Sequence, residues 1–163
     1  DLPEEYRLLE QKPMIVREDL AALIAIQLED LGKRVEEPLS GVIMIDIDGS
    51  WAEDYIREAV AWRIMEPFQN HAFRTDLEVS RMMFAEAAYR VLELIEATDG
   101  ARNMHPTDVS SAHYLYDRIL VVVGQGILPL GPRDTFGLLD PVSGREAMAA
   151  VQRLVRLVRS SGN

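Results

Sequence analysis

Two stretches of this chain superimpose at a single offset, and that internal repeat restricts the fold more than any other feature of the sequence. Trp51 pairs with Tyr114, Ile56 with Ile119, Val60 with Val123, Ile64 with Ile127, Phe73 with Phe136, Val79 with Val142 and Ser80 with Ser143, each pair 63 residues apart. A unit that recurs with its apolar anchors in register cannot bury its hydrophobic face alone, so the copies must pack on one another and share a core. Ligand grooves are then expected between copies rather than in one deep pocket.

The spacing of apolar residues within the repeat is helical. Leu20, Leu23, Ile24, Leu28 and Leu31 predict a helix over 17–31 that ends at Gly32. Ser50, with Glu53 three residues on, reads as a capping box opening a helix over 51–63. Phe84, Ala87, Ala88, Val91, Leu92 and Ile95 predict a second helix over 81–97. The pattern restarts after a Gly- and Pro-containing connection over 98–108, with helices over 112–123 and 145–159. The β-branched run from Val42 to Ile47 predicts a short extended segment. Because Ile15-Val16-Arg17 aligns with Val79-Ser80-Arg81 at an offset of 64, residues 14–31 are the second half of a further unit. The expectation is one all-α domain over 1–163, with a half repeat at 14–31 and full repeats at 45–97 and 108–159.

Composition excludes several functions. A chain of 163 residues can bury roughly 70% of its unfolded surface, enough for a core without staples. With a formal net charge of −10, the chain lacks the excess of cations that phosphate backbones require, so nucleic acid is not an expected partner. No stretch approaches the run of about 20 apolar residues that a membrane span needs. Cysteine is absent, which removes disulfides, thiolate metal sites and cysteine nucleophiles together. The start at Asp1-Leu2-Pro3 shows neither an initiator Met nor a signal peptide, and the chain reads as a mature product or the terminal part of a larger protein. Asp46-x-Asp48-Gly49 has the opening of a calcium loop but not its later ligands, so a turn is expected there. His105, Asp108 and His113 are the nearest approach to a metal or acid–base group, yet no nucleophile accompanies them. No catalytic residue, metal or cofactor is expected.

These residues carry a family resemblance. Ile45-Asp46-Ile47 through Trp51-Ala52 and Ile56, then Ile64, Phe73-Arg74 and Val79-Ser80-Arg81, resemble the S-layer homology domain. Asp108-Val109, His113-Tyr114, Gly126-Ile127, Phe136 and Val142-Ser143-Gly144-Arg145-Glu146 resemble the same pattern in the last copy. That family's repeat ends in a Thr-Arg-Ala-Glu motif at a helix start. Here Ser143-Gly144-Arg145-Glu146 has Gly where the family has Arg, Ser80-Arg81-Met82-Met83 loses the Glu, and Val16-Arg17-Glu18-Asp19 loses the hydroxyl. The resemblance implies a pseudo-threefold prism of helices and an exported, noncatalytic module of the bacterial cell envelope whose inter-repeat grooves bind cell-wall polysaccharide. It implies binding roles for Arg17, Asp19, Trp51, Ser80, Arg81, Ser143, Arg145 and Glu146, the guanidinium groups meeting anionic sugar substituents. The alternative is the same fold with its grooves given to an envelope protein, which the apolar segment Val121–Val123 with Leu128 and Leu130 favours if it stays exposed.

Overall fold

The computed structural model describes residues 1–100 and 104–162, so residues 101–103 of the connection predicted over 98–108 lie outside the described residues. Among the described residues the chain is all-α. Its helices are α1 (Glu4–Arg7), α2 (Arg17–Gln27), α3 (Glu29–Gly32), α4 (Glu53–Ala61), α5 (Arg81–Leu94), α6 (Tyr116–Gly124) and α7 (Gly144–Ser161), with 3-10 turns at Leu9–Gln11 and Pro132–Asp134. Three long helices, α2, α5 and α7, each pack on a shorter partner later in a cyclic order: α2 on α4, α5 on α6, and α7 on the Leu9–Gln11 turn at the start of the chain. Residues 4–11 thus include the segment that packs on α7, as α4 packs on α2 and α6 on α5.

The entries to the three long helices meet in a closed ring of backbone hydrogen bonds. Val79 N donates to the Ile15 carbonyl at 3.0 Å, Val142 N to Val79 at 3.2 Å, and Ile15 N to Val142 at 2.8 Å. All three side chains are fully buried. A second tier repeats the geometry one turn outward, with Arg17 N donating to Leu77, Arg81 N to Asp140, and Gly144 N to Lys12, each at 2.9–3.0 Å. These bonds satisfy the first amides of each helix, which have no intrahelical acceptor, and they lock each unit's helix start to the loop of the next.

A carboxylate fixes two of those loops. Asp46 accepts from the amides of Phe73 and Arg74, both at 2.7 Å, and Asp108 accepts from Phe136 and Gly137, both at 2.8 Å. The anchors Phe73 and Phe136 are thereby held inside the core. For Asp108, partial desolvation raises the pKa, but amides of Phe136, Gly137 and its own backbone outweigh it and hold the carboxyl below its ordinary value of 3.8. A depressed folded pKa means stability that is complete above the unfolded value and lost as pH falls through the folded one. Asp108 is exposed and its bonds are screened by solvent, so Asp108→Asn is expected to cost about 1 kcal/mol or less at pH 7, and urea unfolding should show that gap narrowing as pH drops below 3.8.

Three local expectations change. The helix predicted from Trp51 starts at Glu53, because Ile47–Ser50 forms a turn and the Ser50 hydroxyl accepts from Ala52 N and donates to Glu18 instead of capping a helix. Helix 17–31 is broken at Leu28, whose ψ of 28° leaves the helical range and starts α3. The run from Val42 to Ile47 forms no strand, since its one backbone bond to another segment is Ile45 N to His71. The apolar surplus expected at Val121–Val123 and Leu128 is absorbed by the core, where these residues are buried; Leu130 is partly buried and packs against it.

Candidate inter-unit groove

The site is built from the second residue of each helix-start motif. Arg17 and Arg81 open α2 and α5, and the ring of backbone bonds aims each side chain across the unit boundary into the following loop. Arg17 Nε donates to the Phe73 carbonyl at 2.8 Å and Nη2 to the Glu66 carbonyl at 2.7 Å, while the guanidinium lies 4.3 Å over the Phe73 ring and 4.8 Å over Phe68. Arg81 repeats this with the Phe136 carbonyl at 2.6 Å, the Pro129 carbonyl at 2.8 Å and the Phe136 ring at 4.8 Å. Both arginines are buried to 8% exposure. Much of their task is thus to satisfy loop carbonyls that would otherwise be stranded in a desolvated seam.

The two sites differ at the third donor. Arg81 Nη1 pairs with the carboxylate of Glu146. Arg17 Nη1 has no acceptor among the described residues, and it is not fully buried, since no fully buried side-chain nitrogen or oxygen among them lacks a partner. Burial pushes the Arg17 guanidinium down to about 10, with the Glu66 carboxylate opposing the shift, and it stays charged at neutral pH.

Arg17 lines a groove of about 450 Å³ between α2, the 64–69 loop and α5. Phe68, Met82 and Met83 supply apolar wall, Gln69 and the Arg90–Glu86 pair a polar one. Tyr114, 75% exposed and stacked on His113 at 4.8 Å, also lines the groove. A volume of this order holds a small ligand or a short polymer segment.

The residues singled out in the sequence separate as follows. Ser80 and Ser143 cap their helices by accepting from Met83 N at 3.3 Å and Glu146 N at 3.1 Å. Asp19 is buried, accepts from Val16 N at 2.9 Å and pairs with Lys12. Arg145 is exposed, one position beyond the residue that occupies the arginine's place, which is Gly144. Trp51 packs edge-on against Tyr55 with centroids 6.5 Å apart and does not line the groove of Arg17. Tyr114, its repeat counterpart, does, and the pairing of 51 with 114 was the signal that could have identified it. Phe68, Gln69, Met82 and Met83 carried no signal of their own. Of the group considered in the sequence, Asp108 serves the two loop amides, His113 Nδ1 accepts from Leu115 N at 3.1 Å, and His105 Nδ1 lies 2.9 Å from the Tyr116 hydroxyl. Among the described residues, no group of three or more His, Asp and Glu side chains is placed to hold a metal.

No protein-family model and no curated protein matches this chain. No helix among the described residues is long and apolar enough to cross a membrane.

Proposed function

We propose that the chain is a noncatalytic module of the bacterial cell envelope, with S-layer homology domain ancestry, that anchors a larger protein to cell-wall polysaccharide through the groove at Arg17. The observation that carries this reading is the combination in one groove of a buried guanidinium, one of whose amino groups has no acceptor among the described residues, and an exposed aromatic ring, Tyr114. Guanidinium recognises an anionic substituent, and an aromatic face gives a sugar ring a surface to lie on. The cyclic packing of α2, α5 and α7 on their partners supports a pseudo-threefold prism of eroded repeats.

Retention by purified, protein-free wall material from the source organism tests this. The wild-type chain is expected to sediment with the walls. Tyr114→Ser, at a position 75% exposed and so nearly neutral for folding, is expected to weaken retention about tenfold, the equivalent of ~1.4 kcal/mol. Unchanged retention in that variant would remove this groove as the site.

A protein partner is the second reading. Phe68 and Leu139 are exposed at 40% and 82%, and Met82 and Met83, half-buried in the groove wall, add an adaptable apolar surface. It predicts no binding to walls and capture by an envelope protein, abolished by Leu139→Asp.

A further inference from the structure

Residues Val42 to Ile45 run along the fold without pairing with it. Val42 and Met44 are half-buried and pack on the core, while Ile43 and Ile45 are 62% and 68% exposed. Side chains that alternate inward and outward residue by residue mark an extended strand. No strand accompanies this one. The Ile45 amide donates to the His71 carbonyl at 3.0 Å, and the backbone groups of Val42, Ile43 and Met44 bond to nothing among the described residues. Because amides also alternate in direction along an extended chain, Met44 turns its N–H to the edge away from His71. A shallow cleft of about 110 Å³ lined by Leu39, Val42, Met44, Arg57 and Val60 lies beside the segment.

The later repeat shows that the fold does not require this arrangement. Its register is fixed twice, by Asp108 in the role of Asp46 and by the Thr107 amide, which donates to Asp134 at 2.9 Å as Ile45 does to His71. In that register Ile43 and Ile45 correspond to His105 and Thr107, equally exposed but polar, and Met44 corresponds to Pro106, which has no N–H to offer. Proline and polar side chains are how proteins blunt a strand edge. The later repeat is blunted and the earlier one is not.

We propose that residues 42–46 are a docking edge for an extended, basic segment of a partner protein, which adds as a strand: its backbone pairs with the free edge at Met44, and its apolar side chains cover Ile43 and Ile45. This surface is separate from the groove at Arg17 and stands whether or not that groove binds polysaccharide. Charge selects the occupant. From Val35 to Ile56 the chain carries Glu36, Glu37, Asp46, Asp48, Glu53 and Asp54 and no Lys or Arg. Arg57, 3.1 Å from Glu53 and 4.0 Å from Asp48, and Arg63, bonded to the Glu37 carbonyl, offset only part of this. A second copy of the chain would bring the same carboxylates against themselves, and like charges facing one another across a strand pair destabilise it. Lysines or arginines flanking an apolar stretch complement them.

The probe is a synthetic peptide of about seven residues, enough to cover 42–46 at ~3.3 Å per residue, with alternating Val and Thr between terminal lysines. One control replaces the lysines with Glu, and a second carries N-methyl groups on the backbone. Amide hydrogen exchange followed by NMR is expected to show the Met44 amide slowed at least tenfold by the basic peptide. The Glu peptide should bind at least tenfold more weakly and the N-methylated one not at all. Ile43→His combined with Ile45→Thr installs the later repeat's residues at two exposed positions, so it should keep the wild-type Tm while weakening the basic peptide at least tenfold. Met44→Pro, which removes the edge donor, should do the same to binding. An unprotected Met44 amide, equal binding of the two charged peptides, or undiminished binding by the double variant would each overturn the proposal. So would a dimer of the free chain in sedimentation that the double variant dissolves, since the edge would then belong to a second copy.

Discussion

Arg81→Met is expected to destabilise the domain by about 3–5 kcal/mol, the range for removing one partner from a buried ion pair. The guanidinium at 8% exposure bonds two loop carbonyls and a carboxylate at once. Methionine fills much of the volume, so the loss is polar: Phe136 and Pro129 keep desolvated carbonyls and Glu146 keeps a charge without a partner. Arg17→Met strands the Phe73 and Glu66 carbonyls in the same way but leaves no orphaned carboxylate opposite, because that position is Met83. Its cost should be smaller, about 2 kcal/mol. Urea unfolding of the two variants checks the order, and equal losses would show that the Arg81–Glu146 pair contributes nothing net. The comparison also shows why deleting both arginines is a poor test of binding, since it would weaken the fold that forms the groove.

Gly144→Ala is expected to unseat the N-terminal segment. A Cβ at this position would lie 1.8 Å from the Leu9 carbonyl oxygen and 2.8 Å from its carbon, both backbone atoms that cannot swing aside. Alanine is the better helix former by up to about 1 kcal/mol, but the clash outweighs that gain. Overpacking costs about 1–3 kcal/mol, and release of the segment exposes Leu9 and Tyr6, each buried to 5% or less, at about 1.5–3 kcal/mol apiece. A net loss of about 3 kcal/mol lowers Tm by roughly 6–12 °C in a domain of this size. Differential scanning calorimetry reads the shift, and hydrogen exchange at the Gly144 amide, bonded to Lys12 at 2.9 Å, reads the detachment. A variant with unchanged Tm and a protected amide would mean that the turn at Leu9 relaxes without cost.

This glycine is where the repeat and the observed chain part company in an informative way. In the sequence Gly144 is a lapse from a motif whose other copies have arginine, and Arg145 beside it looks like a shifted replacement. In the folded chain it is the point at which the third long helix closes on residues 4–12, and arginine there would occupy the space of the Leu9 backbone. The partner of α7 is therefore a segment too short and too polar to show helical periodicity, which is why nothing in residues 1–13 pointed to this packing. The same distance in sequence hid the groove. Arg17, the pair Phe68 and Met83, and Tyr114 lie in three separate stretches of the chain and are brought together only by packing of one long helix against the next loop. Even the arginines are only half legible: their burial depends on carbonyls about 50 residues away.

The 63-residue register and the 3.6-residue spacing of apolar side chains are local properties of the chain, and they alone determined the all-α class, the three long helices and the buried anchors Phe73, Phe136, Val79 and Val142. The tertiary structure decided how the three helix starts differ in use. Whether a guanidinium is unpaired, paired or absent is set by what the next unit places opposite it, and that is a matter of charge and space across a boundary rather than of pattern within a unit.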